Sequence, residues 1–504
     1  MAPRRRDPPD ARPRGRAPMT APAGVSIVQS TVSAASTAPA RAPALRAEPR
    51  RFAVLTDRLP PRLRERPGPP VLERAPSGVG AALALALARR RGAWIGWAGT
   101  GRAPSPPPGY GLAQVPLDAG EAGLFERFCD RTLWPLLHAM PDRMEVDAQA
   151  WAAYAAVGAR YAEVAANTVA ASGLVSIHDC ALVPAARQLR QLRPDLRIAL
   201  FAHAPFPACD LLRMLPWHGE LLEGLLACDL VGFHASAYAA NFFDCAERLL
   251  GARADRERGC LAQGKRGVRV GVFPLGIDYA AAEERARRAP GLGGARDARI
   301  VLGVDPLDPT NGIAERIRAF VRLLELHPEH RERVVLVQVA EPGRRDAAES
   351  QRLKRQVDAL VGEANGRLGT SRWTPIRYVC RALRPVDLAG LYREADVALV
   401  TPLRDGTGRV AKEYVASQVG DPGVLVLSRL AACAETMREA LQVHPHHVDE
   451  VAESLHRALG MPASERAARM RALQRRERRH DVHACVGAFL RVAAAPAPTA
   501  DAEG

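Results

Sequence analysis

The 504-residue chain lacks long apolar runs and closely spaced cysteine pairs. Its longest unbroken apolar stretch, residues 81–88, is far shorter than the roughly 20 residues that a membrane-spanning helix needs. No apolar segment follows the first arginines, as a signal peptide would require. The nine cysteines are irregularly spaced and include no CxxC motif, which fits reduced intracellular thiols better than disulfides or a zinc site. We therefore expect a cytoplasmic protein with no membrane partner.

Common catalytic and cofactor motifs are also absent. No HExxH, GxSxG or Walker A pattern occurs, and the histidines and cysteines do not cluster at metal-ligand spacing. GVGAAL (78–83) and GTGRVA (406–411) resemble parts of a dinucleotide fingerprint, but neither completes GxGxxG with an acidic residue at the next strand end. The sequence therefore predicts metal-free chemistry without a cofactor.

The net charge of +15 is unevenly distributed along the chain. Residues 1–51 hold ten arginines against three acidic residues, so they contribute +7, and the other 453 residues contribute +8. The same segment is rich in Ala, Pro, Ser and Thr without apolar periodicity, which is typical of disorder. We expect a disordered basic tail over 1–51 and no nucleic-acid partner.

From Phe52 onward, short apolar runs alternate with helical stretches. The first group of runs covers residues 52–56, 93–97, 174–177, 197–202, 230–233 and 268–273, and the second covers 299–304, 333–339, 376–379, 397–401 and 423–427. Apolar strands separated by helices form parallel sheets that are buried on both faces. The pattern predicts an α/β fold of two doubly wound, Rossmann-like domains that face each other across a cleft.

A polar, glycine-rich stretch between Asp278 and Arg299 separates the two groups of runs. The predicted divisions are an N-terminal domain at 52–280, a C-terminal domain at 290–465, terminal helices at 466–495 and a disordered tail at 496–504. Ligands of open parallel sheets bind beyond the carboxyl ends of the strands. Residues that directly follow strands are therefore the functional candidates.

Two histidine motifs follow predicted strands of the first domain. Asp179, next to His178, either hydrogen-bonds a sugar ligand or caps the following helix. His203 lies on a proline-rich loop after the run at 197–202, and it either contacts a ligand or is a structural histidine.

The densest polar segment is 400–415, in which a glycine-containing loop joins a strand to a helix near Lys412 and Glu413. Such a loop offers backbone N–H groups and a positive helix end to phosphate, and an early Glu can accept both ribose hydroxyls. Only three of the 70 basic residues are lysines, so Lys412 is a candidate for a role that arginine does not fill. The alternative is an ordinary capping loop with a surface Lys412–Glu413 pair.

These segments resemble, in order, the trehalose-6-phosphate synthase family of retaining glycosyltransferases, which have the two-domain GT-B fold. The resemblance runs from Arg58 to about Val492. Its motifs are TDR (56–58), WIGWAG (94–99), LWP (133–135), IHD (177–179), HAPFP (203–207), LLACDLVGFH (225–234), FPLGID (273–278), LVTPLRDG with VAKEYVASQ (399–418) and DPGVLVLS (421–428). It implies metal-free transfer of glucose, with retention, from a nucleotide-glucose to glucose 6-phosphate in trehalose biosynthesis.

The resemblance also implies roles for single residues, and it leaves homo-oligomerisation open. Catalytic positions are Asp179, His203 and Asp405; acceptor-binding positions are Arg58, Gly78, Trp134 and Arg344; nucleotide-sugar-binding positions are Gly408, Arg409, Val410 and Glu413.

The chain departs from the family pattern where the family neutralises the leaving diphosphate. The family loop reads RLDxxKG, whereas this chain has PLDPTNG at 306–312, so Pro306 replaces the Arg and Asn311 replaces the Lys. We expect Arg409 to supply part of the missing charge from the opposite wall of the cleft. Two alternatives stay open: a catalytically weak or inactive relative that binds sugar phosphate or nucleotide as a sensor or subunit, and a pseudo-glycosyltransferase that uses another activated sugar or a cyclitol.

Overall fold

The computed structural model describes residues 49–60, 63–64, 71–72, 78–99, 107–264, 266–291, 298–342 and 347–496. Most of the two predicted tails (1–48 and 497–504), as well as Arg344, lie outside the described residues. The first strand begins at Arg50, which pairs with Val169, so Arg50 and Arg51 belong to the sheet although the sequence placed them in the tail. No described helix combines the length and the apolar character that crossing a bilayer demands.

The N-terminal domain is built on a nine-stranded sheet in the order β5-β4-β1-β6-β7-β8-β11-β10-β9. Its strands are β1 (Arg50–Arg58), β4 (Ala93–Trp97), β5 (Gly111–Gln114), β6 (Val169–His178), β7 (Arg197–Phe201), β8 (Leu230–Phe233), β9 (Arg253–Asp255), β10 (Cys260–Gln263) and β11 (Arg266–Val272). Neighbours from β5 to β11 are parallel, and β10 is antiparallel to both of its neighbours. A separate short hairpin is formed by β2 (Leu63–Arg64) and β3 (Val71–Leu72).

The C-terminal domain is built on a six-stranded sheet in the order β14-β13-β12-β15-β16-β17, in which every neighbouring pair is parallel. Its strands are β12 (Arg299–Pro306), β13 (Val334–Glu341), β14 (Ile376–Val379), β15 (Val397–Val400), β16 (Val424–Ser428) and β17 (Leu441–Val443). In each sheet the strand order reverses beside the first strand, β1 or β12, and ligand crevices open at such points. The predicted α/β class with two Rossmann-like domains is confirmed.

Helices connect and cover both sheets. Those of the N-terminal half are α1 (Gly78–Arg90), α2 (Ala119–Phe128), α3 (Trp134–Leu137), α4 (Ala148–Thr168), α5 (Val183–Leu192), α6 (Cys209–Leu212), α7 (His218–Leu226) and α8 (Ser236–Leu250). The others are α9 (Tyr279–Arg288), α10 (Ile313–Leu326), α11 (Ala347–Leu368), α12 (Pro385–Glu394), α13 (Arg409–Ser417), α14 (Val448–Gly460), α15 (Ala463–Arg479) and α16 (Val482–Ala494).

The polar stretch that the sequence assigned to a domain break contains helix α9. Tyr279 and Ala282 pack against Ala416 of α13, and Ala286 packs against Ala389 of α12. The helix therefore packs with the helices of the C-terminal domain. The sequence did not indicate this helix, because charged residues separate Tyr279, Ala282 and Ala286, the buried side chains that form its packing face.

The two terminal helices pack on different domains. Met470 and Leu473 of α15 are buried in the core of the C-terminal domain. Helix α16 returns to the N-terminal domain, where Phe489 packs against Phe201 of β7 with ring centroids 4.9 Å apart. The end of the chain thus joins the two halves of the molecule.

Candidate functional site

A cavity of about 910 Å³ opens between the two domains. Its walls include Trp134 of α3, His203 after β7, residues 305–311 at the end of β12 and in the loop that follows it, and residues 404–407 after β15. Its volume falls within the range of ligand pockets, roughly 300–1,000 Å³. The carboxyl ends of both parallel sheets therefore contribute to one site, as expected for doubly wound folds.

The loop after β15 packs directly on the backbone of His203. A Cβ atom added to Gly406 would lie 2.3 Å from the His203 carbonyl oxygen, so a larger residue would push the two domains apart here. Asp405 accepts hydrogen bonds from the Thr407 N–H at 2.9 Å and the Gly408 N–H at 2.7 Å. Its carboxylate thus fixes the loop and the start of α13 while Asp405 lines the cavity.

Helix α13 carries three of the four predicted nucleotide-sugar residues, Arg409, Val410 and Glu413, in its first two turns. Gly408 precedes it with a φ of 65°, and Arg409 and Val410 line the cavity. The guanidinium of Arg409 donates to Glu413 Oε1 at 3.1 Å, and the Tyr392 hydroxyl donates to Glu413 Oε2 at 3.3 Å. The carboxylate of Glu413 raises the pKa of Arg409. Glu413 is therefore held by two donors one turn behind the cavity wall.

Lys412 does not form the surface pair with Glu413 that the sequence allowed. Its side chain is 3% exposed, and Nζ donates to the Leu275 carbonyl oxygen. Its charge also opposes the rise that burial causes in the pKa of Glu477. Lys412 therefore joins α13 to the segment that links the two domains and does not line the cavity.

The two histidine motifs of the first domain lie against each other. His178 Nδ1 is 3.0 Å from His203 Nε2, and His178 Nε2 is 3.0 Å from Ser176 Oγ. Burial lowers the pKa of His178 well below its usual range and also lowers the pKa of His203. His203 is therefore a neutral ring at neutral pH, and its Nε2 is oriented by His178.

Asp179 forms the helix cap that was one of the two alternatives from the sequence, and its ligand role stays a prediction. Its carboxylate accepts the Cys180 N–H at 2.7 Å, which is the capping alternative, and it is not among the residues that line the cavity. Its φ of 79° with ψ of 155° is a region that costs a non-glycine residue about 1–3 kcal/mol. Such strain clusters at functional sites. The negative charge of Asp179 also counteracts the lowered pKa of His203.

The predicted acceptor-binding residues are not all brought to the cavity wall. Trp134 lines the cavity and lies 3.7 Å, centroid to centroid, from His138. Arg58 ends β1, forms an ion pair with Glu126 and lies 4.8 Å above the Trp97 ring. Gly78 is the first residue of α1, and the loop before it lies outside the described residues, as does Arg344.

The loop that lacks the two family cations is closed by its own side chains. Asn311 Nδ2 donates to the Pro306 carbonyl oxygen at 2.9 Å. Behind the loop, the fully buried Arg316 forms an ion pair with Asp305 and donates to the Asn311 carbonyl oxygen at 3.3 Å. Sequence reasoning missed Arg316, although a charged residue on the buried face of α10 between Ile313 and Phe320 was a signal.

Arg404 is the cavity cation with the least compensated charge among the described residues. Arg131, Arg143 and Arg409 each form an ion pair with a glutamate. Arg404 instead lies 5.7 Å from the Tyr238 ring centroid and donates to the Phe206 carbonyl oxygen at 3.4 Å, and no described carboxylate pairs with it. A guanidinium in this position can interact with an anionic ligand.

Two doubly wound sheets with one cavity between their carboxyl ends are the architecture of the GT-B class of glycosyltransferases. Residues 52–494 match the sequence pattern of glycosyltransferase family 20, and the chain belongs to that family. It is a glycosyltransferase, as the motifs predicted.

Two relatives share much of their sequence with this chain. The chain is 39% identical over 459 residues to a trehalose-6-phosphate synthase of Mycobacterium sp. (strain JLS), covering 87% of this chain and 95% of that one. It is 41% identical over 411 residues to a bifunctional trehalose-6-phosphate synthase/phosphatase of Thermoproteus tenax. That match covers 77% of this chain but 55% of the relative, so the chain spans about half of the bifunctional protein.

Solved structures share the fold over most of the chain. A UDP-forming alpha,alpha-trehalose-phosphate synthase from Burkholderia xenovorans in complex with glucose-6-phosphate has a TM-score of 0.80 at 32% identity, covering 88% of this chain and all of that one. An E. coli structure described as bound with UDP-2-fluoro glucose has a TM-score of 0.80 at 30% identity, covering 89% and 99%.

The histidines beside the cavity predict that acid destabilises the fold. Burial lowers the pKa of His178, His203 and His234 below the ordinary 6.5, so the unfolded state binds more protons as the pH falls. The contribution of these three histidines to the free energy of unfolding is complete above pH 6.5 and decreases below it. The Tm should fall between pH 7 and pH 5, and it should fall less for His234→Asn because one such group is gone.

The exposed His446 supplies the control, since His446→Asn should keep the pH dependence of the wild type. Parallel curves of Tm against pH for wild type and His234→Asn would contradict the assignment of the acid sensitivity to this cluster.

Proposed function

We propose that this chain transfers glucose from UDP-glucose to glucose 6-phosphate, with retained configuration, and forms trehalose 6-phosphate. The observation that carries the proposal is the cavity between the carboxyl ends of the two sheets, lined by His203, Trp134 and the start of α13. The relatives' names and the ligands of the solved structures support the choice of donor and acceptor. The cytoplasmic location and the oligomeric state stay predictions from the sequence.

The residues of the proposed site fall into three groups, which bind the acceptor, the nucleotide sugar and the reacting sugar. Arg58, Gly78, Trp134 and Arg344 are assigned to the acceptor, the first three because they lie on elements of the N-terminal domain and Arg344 by the resemblance alone. Gly408, Arg409, Val410 and Glu413 are assigned to the nucleotide sugar because α13 presents its positive N-terminal end there. Asp179, His203 and Asp405 are assigned to the reacting sugar.

The transfer breaks the bond between glucose C1 and the diphosphate oxygen and forms a bond from C1 to the anomeric oxygen of the acceptor. The acceptor hydroxyl proton passes to the leaving diphosphate on the same face, so no covalent protein intermediate is required. His203 is neutral and hence contributes hydrogen bonding, not charge. Asp405 holds the loop that positions α13 against the leaving group.

Negative charge grows on the leaving diphosphate, and the loop at 306–311 offers no cation to meet it. Arg409 lines the cavity, but Glu413 compensates part of its charge. Arg404 lines the same cavity without a described carboxylate partner. We therefore assign the larger share of diphosphate stabilisation to Arg404 and the smaller share to Arg409.

The activity is tested with the full chain, glucose 6-phosphate and UDP-, ADP- or GDP-glucose, with mass-spectrometric detection of products. A disaccharide phosphate should form, and fastest with UDP-glucose. Saturable binding of nucleotide or sugar phosphate without any product would contradict the proposal and select a binding protein. In that case Pro306→Arg combined with Asn311→Lys should create transfer, because it restores both family cations.

Glu413 is expected to accept the ribose hydroxyls. Glu413→Gln keeps the shape of the side chain but removes its charge and one acceptor oxygen, so nucleotide binding should weaken by about 1.5–3 kcal/mol in calorimetry. Glu435→Gln, a change at a carboxylate outside the cavity lining, should leave the nucleotide affinity unaltered. Unchanged affinity in Glu413→Gln would reduce Glu413 to a structural partner of Arg409 and Tyr392.

The two cation assignments are ranked by parallel variants. Arg404→Leu should lower the transfer rate by about 10²–10³ and weaken UDP binding much more than uridine binding, because only UDP carries the diphosphate. Arg409→Leu should have the smaller effect, since that charge is shared with Glu413. Arg352→Leu, which removes an exposed cation of the cavity rim, is the control. A larger loss in Arg409→Leu than in Arg404→Leu would reverse the assignment.

A further inference from the structure

A second cluster of polar side chains lies at the far end of α10 from the cavity. His327 directly follows α10, Glu329 and His330 belong to the next turn, and His456 and Glu453 lie on α14, which packs beside α10. Helix α10 has 14 residues, which at 1.5 Å per residue separate the cluster from the 306–311 loop by roughly 21 Å. The cluster is thus independent of the catalytic cavity.

The donor atoms of this cluster are spaced like the ligands of one metal ion. One atom each from His327, Glu329 and His456 lie within 4.8 Å of one another. Glu329 Oε1 is 3.5 Å from His327 Nδ1 and 3.7 Å from His456 Nδ1, and His330 Nε2 is 3.0 Å from His456 Nδ1. A tetrahedral zinc ion with bonds of about 2.0–2.1 Å has ligands roughly 3.3–3.4 Å apart. The two distances from Glu329 Oε1 exceed that value by a few tenths of an ångström. The rings of His327 and His456 are stacked with centroids 3.7 Å apart, so they must turn for both lone pairs to converge on one ion.

The second ring nitrogen of His327 supports the same interpretation. His327 Nε2 lies 3.0 Å from Glu453 Oε1. Histidines that bind a metal through one nitrogen commonly donate the other N–H to a carboxylate, which fixes the tautomer and the ring orientation. His327 therefore has a candidate ligand atom on one side and the expected carboxylate partner on the other.

The cluster is also built on ordered backbone. The His327 N–H donates to the Leu323 carbonyl oxygen at 2.9 Å, and the His330 N–H donates to the His327 carbonyl oxygen at 3.1 Å. An ion pair of 2.7 Å between Arg322 and Asp449 ties α10 to α14 near the same end. Because the backbone is held in place, only side-chain rotations are needed when these residues bind a metal.

We propose that His327, Glu329 and His456 bind one Zn²⁺, with water as the fourth ligand, and that the ion joins the end of α10 to α14. Imidazole and carboxylate together suit zinc, whereas Mg²⁺ prefers oxygen ligands alone. Local sequence spacing did not predict this site, since His456 lies 129 positions after His327 in the chain. From the sequence we expected no cluster of metal ligands. The fold nevertheless brings these side chains close together.

Calorimetric titration of the full chain with ZnCl₂ tests the site. One Zn²⁺ per chain should bind, and the Tm should rise with Zn²⁺ but not with Mg²⁺. His327→Ala and His456→Ala should lose the zinc-dependent rise in Tm, and Glu453→Gln should weaken binding by about 10–100-fold at unchanged stoichiometry. Circular dichroism without zinc checks that each variant is folded.

His446→Ala is the matched control, because His444 and His446 form another surface histidine pair with ring centroids 5.7 Å apart. This variant should bind Zn²⁺ as the wild type does. Absence of zinc binding in the wild type would overturn the proposal and leave a hydrogen-bonded histidine network. Zinc binding that survives His456→Ala but is lost in His446→Ala would overturn it as well.

Discussion

The buried ion pair between Asp305 and Arg316 fixes the floor of the catalytic cavity. Arg316 is 1% exposed and contacts the end of β12 through Asp305, β13 through Gln338 and the residue after β15 through Thr401. It also donates to the Asn311 carbonyl oxygen. A buried charge left without its partner costs about 3–5 kcal/mol. The strand ends and the loop must therefore keep one arrangement.

This arrangement explains how the loop keeps its form after losing two cations. Asn311 closes the loop by donating to the Pro306 carbonyl oxygen, and Arg316 donates to the Asn311 carbonyl oxygen from the buried side. The loop therefore keeps its conformation without a charged side chain at position 306 or 311. Because Asp305 compensates the charge of Arg316, that guanidinium adds little to diphosphate binding. On the proposed function, the positive charge for the leaving group comes from Arg404 and Arg409 in the neighbouring loop after β15. The expectation that Arg409 lies on the opposite wall of the cleft was wrong, because the Leu403 N–H donates to the Thr310 carbonyl oxygen at 2.7 Å and both loops therefore belong to the C-terminal domain.

Sequence patterns predicted the strands far better than the side-chain contacts. The predicted run at 93–97 has the same first and last residues as β4. A strand that is buried on both faces has a continuous apolar sequence, which makes its limits easy to recognise. The burial of Lys412 against the Leu275 carbonyl oxygen could not be predicted from the sequence, since it depends on how α13 packs against the segment between the domains. The meeting of His327 with His456 depends in the same way on the packing of α10 against α14. Local spacing carries no information about such contacts.

The central claim is that this cavity transfers glucose with retained configuration although its loop lacks the family cations. The most direct measurement is ¹³C NMR of the product formed from UDP-glucose labelled at C1 and glucose 6-phosphate. The account predicts a labelled anomeric carbon in the α configuration, bonded to the acceptor's anomeric oxygen. A β-configured product, or release of labelled glucose without any disaccharide phosphate, would contradict it.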